Sequence, residues 1–242
     1  MRNTNKMLLW FLVMFVVFCG SVLNAQSSAT VGYSIVPESN GRVRLIVKNQ
    51  YSKPVTALLA VGKRQMINGS GADSSLRFFD CVINNHYQEV APGAAYTFTF
   101  FGPRPAPDQV HAEVQLKAAL FADGSAWGDP QWVAKLQHRR EVNLAYLHAA
   151  LALLNAGQQE GADRTAIVKE IRSEESAKLA AVHDFDEQRL IRVIYEDLAG
   201  NLNIPTRGDG SAIPLSEKIS EQKAFLVTRI HLAESAKATV SR

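Results

Sequence analysis

The side chains best suited to metal binding or proton transfer near neutral pH are the six histidines, at positions 86, 111, 138, 148, 183 and 231. A zinc protease needs two of them one helical turn apart on one face, with a Glu between, and no pair here has that spacing. His138 and His148 fall on different faces of the one helix that would carry both. Surface or hydrogen-bonded histidines are the plainer reading. A serine hydrolase needs its nucleophile on a sharp strand-to-helix elbow. Ser70, in Gly69-Ser70-Gly71, lacks that context and reads as part of a flexible loop. Cys81 follows Phe78-Phe79 and precedes Val82-Ile83, the setting of a buried, inert thiol.

Asp123 and Asp129 stand near Gly124 and Gly128, which brings a calcium loop to mind. Such a loop needs oxygen donors at alternating positions, and Ala126 and Trp127 interrupt them. A turn at Asp123-Gly124 and a helix cap at Asp129-Pro130 account for both carboxylates. Arg207-Gly208-Asp209 matches a cell-adhesion tripeptide, but Gly-Asp-Gly is also simple turn chemistry. Neither a phosphate-binding Gly-rich loop nor a dinucleotide fingerprint is present. The sequence therefore nominates no catalytic residue, no cofactor and no metal ligand.

Three residues remain as candidates for an interface: Trp127, Trp132 and Arg140. The indoles flank the expected helix start, where they either seal one layer against another or face a partner. Arg140 falls on an apolar helical stripe. A buried guanidinium there needs a carboxylate; the simpler expectation is that it snorkels outward at the edge of the packing.

These residues all belong to one stretch, 110–140, which joins two differently built halves. Apolar residues at the even positions from Val110 to Leu120 predict a long strand with one buried and one wet face. Asp123-Gly124 turns the chain, and a helix is expected from about Pro130. Before this stretch the pattern is β. Strands are expected over 30–36, 42–48, 55–61, 76–83 and 96–100, the last with Tyr96, Phe98 and Phe100 alternating with Thr97 and Thr99. Turn or loop chemistry separates them at 37–41, 49–54, 68–75 and 92–93, and residues 102–107, with three prolines, form another loop. Six or seven strands in under 100 residues suit an antiparallel sandwich.

Val47-Lys48-Asn49 followed by Lys53-Pro54-Val55, then Ala91-Pro92-Gly93 before residues 96–100, resembles immunoglobulin-like domains of bacterial envelope proteins. With Leu120-Phe121-Ala122-Asp123-Gly124 and Gly128-Asp129, the layout is also similar to secreted proteins of the acidobacterial kind. The resemblance spans about residues 30–140. It implies a fold and an export route, and no activity.

After Trp132 the apolar spacing turns helical: Val133, Leu136, Leu144, Leu147, Leu151 and Leu154. Gly157 is the expected stop and Asp163 the cap of a second helix. Residues 183–186 either break that helix or lie within it, and Gly200 is expected to end it. Residues 204–214 form a loop. Leu215, Ile219, Leu226, Ile230 and Ala233 mark a last helix before a polar tail. The expected fold is α+β by segregation: a sandwich over 26–128, then three or four antiparallel helices over 129–242.

The first 25 residues read differently. Arg2 and Lys6 precede an uncharged apolar run at 7–18, then Leu23-Asn24-Ala25, the layout of a cleaved signal peptide. The run is short for a membrane span, which needs about 20 apolar residues; a retained N-terminal anchor is the alternative. Cleavage removes two of the 26 basic side chains and none of the 23 acidic ones, leaving a net charge of +1, so nucleic acid is not an implied partner. It also removes Cys19 and leaves one thiol, so the core must stand without an internal disulfide. The expectation is a periplasmic or secreted envelope protein without a membrane span in its mature chain. Its action is non-catalytic, through contacts with an envelope or extracellular protein. The alternative is a small-ligand binder or hydrolase with its site between sandwich and helices.

Overall fold

The computed structural model describes residues 30–66, 72–84, 88–101, 110–208 and 210–240. The expected signal segment, Ser70 and its glycines, His86, the 102–107 loop and Asp209 lie outside them. The described residues are α+β with the two parts segregated: seven strands, then four helices. The strands are β1 (Val31–Pro37), β2 (Val43–Asn49), β3 (Val55–Met66), β4 (Ala72–Asp80), β5 (Ala95–Phe100), β6 (Val110–Phe121) and β7 (Ala126–Gly128). They form two antiparallel sheets, ordered β1-β2-β5 and β4-β3-β6-β7. Seven strands divided three and four match the count of an immunoglobulin-type sandwich. The inner faces meet over Leu45, Val47, Leu58, Phe79, Phe100 and their neighbours.

Asn49 holds one corner of the sandwich. Its amide donates to the carbonyls of Lys53 (2.8 Å) and Val90 (2.9 Å), and its Oδ1 accepts from the Tyr51 N–H (3.0 Å). One fully buried side chain thus fixes both the 49–54 turn and the approach to the Pro92-Gly93 turn. This is the physical content of the Asn and Lys-Pro-Val pattern.

Strand β6 departs from the expected single buried face. A bulge shifts its register against β3: Leu59 pairs with Ala118 but Ala60 pairs with Leu116, leaving Lys117 extra. Val114 and Leu116 point into the sandwich, and so do Ala119 and Phe121 beyond the bulge. Ala118 and Leu120 point the other way and are buried too. The even-position pattern therefore spans two faces.

What covers the second face is helix α1 (Pro130–Gln159), whose Leu136 packs on Ala57, Leu59, Ala118 and Leu120. Helix α1 thus lies on the four-stranded sheet. Asp129 caps α1 by accepting from the Gln131 N–H at 2.9 Å, with Pro130 at the first position. The helix runs past Gly157 to Gln159, and the left-handed turn falls at Gly161 (φ 63°). Gly157 has another use. A Cβ there would lie 2.8 Å from Ile167, so the glycine lets α2 (Arg164–Ala181) approach. Asp163 caps α2, and the chain breaks at Val182 before Asp184 caps α3 (Phe185–Asn203). Gly200 lies inside α3 and does not end it. The last helix, α4 (Leu215–Val240), takes in most of the expected polar tail. The four helices share a core built on Leu147, Leu154, Ile171, Ile191, Tyr195 and Leu226. No described helix is long and apolar enough to cross a membrane.

Candidate functional site

The interface candidates resolve differently. Trp132 is half-buried in the seam between α1 and the sheet, beside Val133 and Phe78. Trp127, on β7, packs at the margin of the sandwich core. Arg140 does not snorkel. Its side chain is 11% exposed, and its Nε and Nη2 donate to the two oxygens of Asp80 at 3.0 and 3.1 Å. Nη2 also donates to Thr56 Oγ1 at 3.0 Å. Thr56 occupies a register shift of β3, where Val55 pairs with Phe121 and Ala57 with Leu120. The irregularity turns its hydroxyl toward the helix layer. Asp80 closes the set by accepting from the Val82 and Ile83 N–H groups. Trp132 and Arg140 therefore lie in the weld between α1 and the sheet, and Trp127 lies at the margin of the sandwich core.

The other sequence candidates are occupied by structural duties. Asp123 accepts from the backbone and hydroxyl of Ser125 (3.0 and 2.6 Å) and from the Tyr51 hydroxyl (2.9 Å), stitching the β6–β7 turn to the 49–54 turn. Burial opposes its charge, but these hydrogen bonds prevail and hold the carboxyl below its ordinary range. Asp129 serves α1 as a cap. Cys81 donates its thiol to the Thr56 carbonyl at 3.3 Å, and burial, reinforced by Asp80, pushes its pKa up to about 12. Arg207 sits in a tight turn with Ser211 and pairs with Glu217.

A cleft of about 470 Å³ opens between the sandwich and the helices. Its walls are the β4 and β5 side of the sandwich, α1, α3 and α4. Four arginines converge on it: Arg77 from β4, Arg139 from α1, Arg189 from α3 and Arg229 from α4. None makes an ion pair within 4 Å among the described residues. Of the three carboxylates that line the same space, Asp80 belongs to Arg140, and Asp186 is 3.3 Å from Lys135. Asp197 faces Arg229 only at longer range.

Two of these arginines are held without neutralisation. Arg139 lies over the Phe78 ring, 4.4 Å from its centroid, and its Nε is buried without an acceptor among the described residues. Arg229 is 6% exposed; its Nη2 donates to the Ile83 carbonyl at 2.7 Å, while its Nε likewise has no acceptor among the described residues. Burial pulls the pKa of both guanidinium groups below its ordinary value, and the neighbouring carboxylates offset this only in part.

Neither arginine was singled out from the sequence, although a signal existed. Arg229 interrupts the stripe of Leu226, Ile230 and Ala233, as Arg140 interrupts its own. Arg139 and Arg140 are adjacent, so they point about 100° apart. One enters the weld and the other the cleft.

No family model, curated protein or solved structure matches the chain.

Proposed function

We propose that this is an exported, non-catalytic binding protein of the cell envelope, and that the cleft between sandwich and helices takes its ligand. The cleft carries the reading: its size suits a small molecule, and charged side chains share its walls with apolar and aromatic ones. Export rests on the charged start, apolar run and small-residue end of residues 1–25. The non-catalytic part rests on the state of the reactive groups. The Cys81 thiol is held protonated, and the cleft is lined by guanidinium and carboxylate groups, which suit binding and positioning.

A second reading, action through a protein partner, is favoured by exposed apolar side chains on α3 and α4, among them Phe185, Val193, Phe225 and Val227. One experiment separates the two. A photo-crosslinking amino acid replaces Val193, at the cleft margin, in the tagged full chain, and the envelope fraction is irradiated. Ligand binding predicts a processed, envelope-located chain that forms no protein adduct and co-purifies with a small molecule. A discrete protein adduct favours the partner reading. Retention of an unprocessed chain in the cytoplasm defeats both.

A further inference from the structure

We infer that the cleft is an anion site, and that its ligand is a small organic acid: one carboxylate, phosphate or sulfonate group on an apolar or aromatic body. The inference rests on the binding reading above and adds the chemical class. Four guanidinium groups from four separate elements line one cleft, with carboxylates that mostly have cations of their own. Arg139 stands close enough to Arg189 to feel its charge, and an anion between them relieves that repulsion.

The posture of the arginines points the same way. Arg139 uses a face of its guanidinium against Phe78, and the N–H donors lie in the plane, free for a planar or tetrahedral anion. Arg229 lines the cleft, is almost fully buried, and has an Nε without an acceptor among the described residues. A buried charged donor left unpaired is costly unless something supplies the acceptor. Around these donors stand Phe78, Leu190, Val193 and Phe225, apolar surface that an inorganic ion alone would not cover.

The test uses two fluorescent probes that share an aromatic body: anilinonaphthalene sulfonate, an anion, and N-phenylnaphthylamine, which is neutral. Each is titrated into the protein purified from cells expressing the full chain. The anionic dye is expected to saturate one site and to bind about tenfold more tightly than the neutral one, the weight of one charge-assisted contact. Arg139→Gln and Arg189→Gln should each remove most of that preference and leave the neutral dye unaffected. Arg189 is exposed, so its replacement spares the fold. Arg192→Gln changes the net charge equally from an exposed position on α3 outside the cleft, and should leave both affinities within about twofold. Equal binding of the two dyes, or an equal effect of Arg192→Gln and Arg139→Gln, overturns the anion site and leaves a binding cleft. No saturable binding of either dye overturns the inference together with the reading beneath it.

Discussion

Arg140 and Asp80 stand sixty residues apart in the chain and meet in a two-pronged ion pair, with donor–acceptor distances of 3.0 and 3.1 Å. The Asp80 side chain is 1% exposed and that of Arg140 11%, so the pair is shielded from solvent. The pair sits where β3 is irregular, and it anchors α1 on the sheet. It also sets the side of α1 from which Arg139 reaches the cleft. Replacing one partner strands a buried charge, which typically costs about 3–5 kcal/mol. Arg140→Met should therefore lose about 3 kcal/mol in urea unfolding. Asp80→Asn with Arg140→Met should lose clearly less than the two single changes added together. A loss below about 1 kcal/mol for Arg140→Met would show that the weld is held by apolar contacts alone.

The layered plan was readable because its signals are local. Alternation marked the strands, and Asp129-Pro130 marked the helix start. What was unreadable depended on partners distant in sequence. The run Ala118-Ala119-Leu120-Phe121 breaks alternation because both faces of β6 are covered after the bulge, one by the opposing sheet and one by α1. Gly157 looked like a stop because glycine favours helix ends, yet its work is to admit Ile167. Gly200 shows the same limit: it is tolerated inside α3, and the helix ends at Asn203. The cleft arginines come from four elements, so no window of sequence holds more than a fraction of the site.

Asn49 should rank with the costliest single positions in the sandwich. Asn49→Ala removes two donors and one acceptor from a fully buried corner and leaves the Tyr51 N–H without its acceptor. The expected loss is about 2–3 kcal/mol, read as a lower denaturant midpoint with unchanged slope. An unchanged midpoint would mean that the corner is held by its strand pairing alone.

Cys81 should be chemically silent in the native protein. With its thiol pKa pushed up to about 12, against about 8.5 for a free cysteine, the thiolate fraction at pH 8 drops on the order of 1000-fold. In a Cys19→Ser background, iodoacetamide should label the folded chain far more slowly than the urea-unfolded one. The raised pKa also fixes a pH dependence. Its contribution to stability is complete below the unfolded value near pH 8.5 and declines as the pH rises toward the folded value. Fast labelling of the folded protein at pH 8 would refute the buried, protonated thiol.

Asp123 should produce the opposite dependence at the acid end. Its folded pKa lies below the ordinary value, so the folded state binds fewer protons than the unfolded one in that interval. The stability it supplies is complete above the unfolded value, about 3.9, and is lost as the pH falls through the lower folded value. The carboxyl is partly exposed and its partners are a serine and a tyrosine, so the effect is modest and local to the 49–54 and 122–125 turns. Asp123→Asn removes the titration. Subtracting its stability profile from that of the wild type over pH 2–5 should give a difference that is flat above about pH 4 and shrinks below it. Tyr51→Phe, which deletes one donor to the carboxylate, should leave the onset near the unfolded value and make the total shrinkage smaller. A difference profile that stays flat to pH 2 would mean that the turn's hydrogen bonds hold the carboxylic acid as well as the carboxylate.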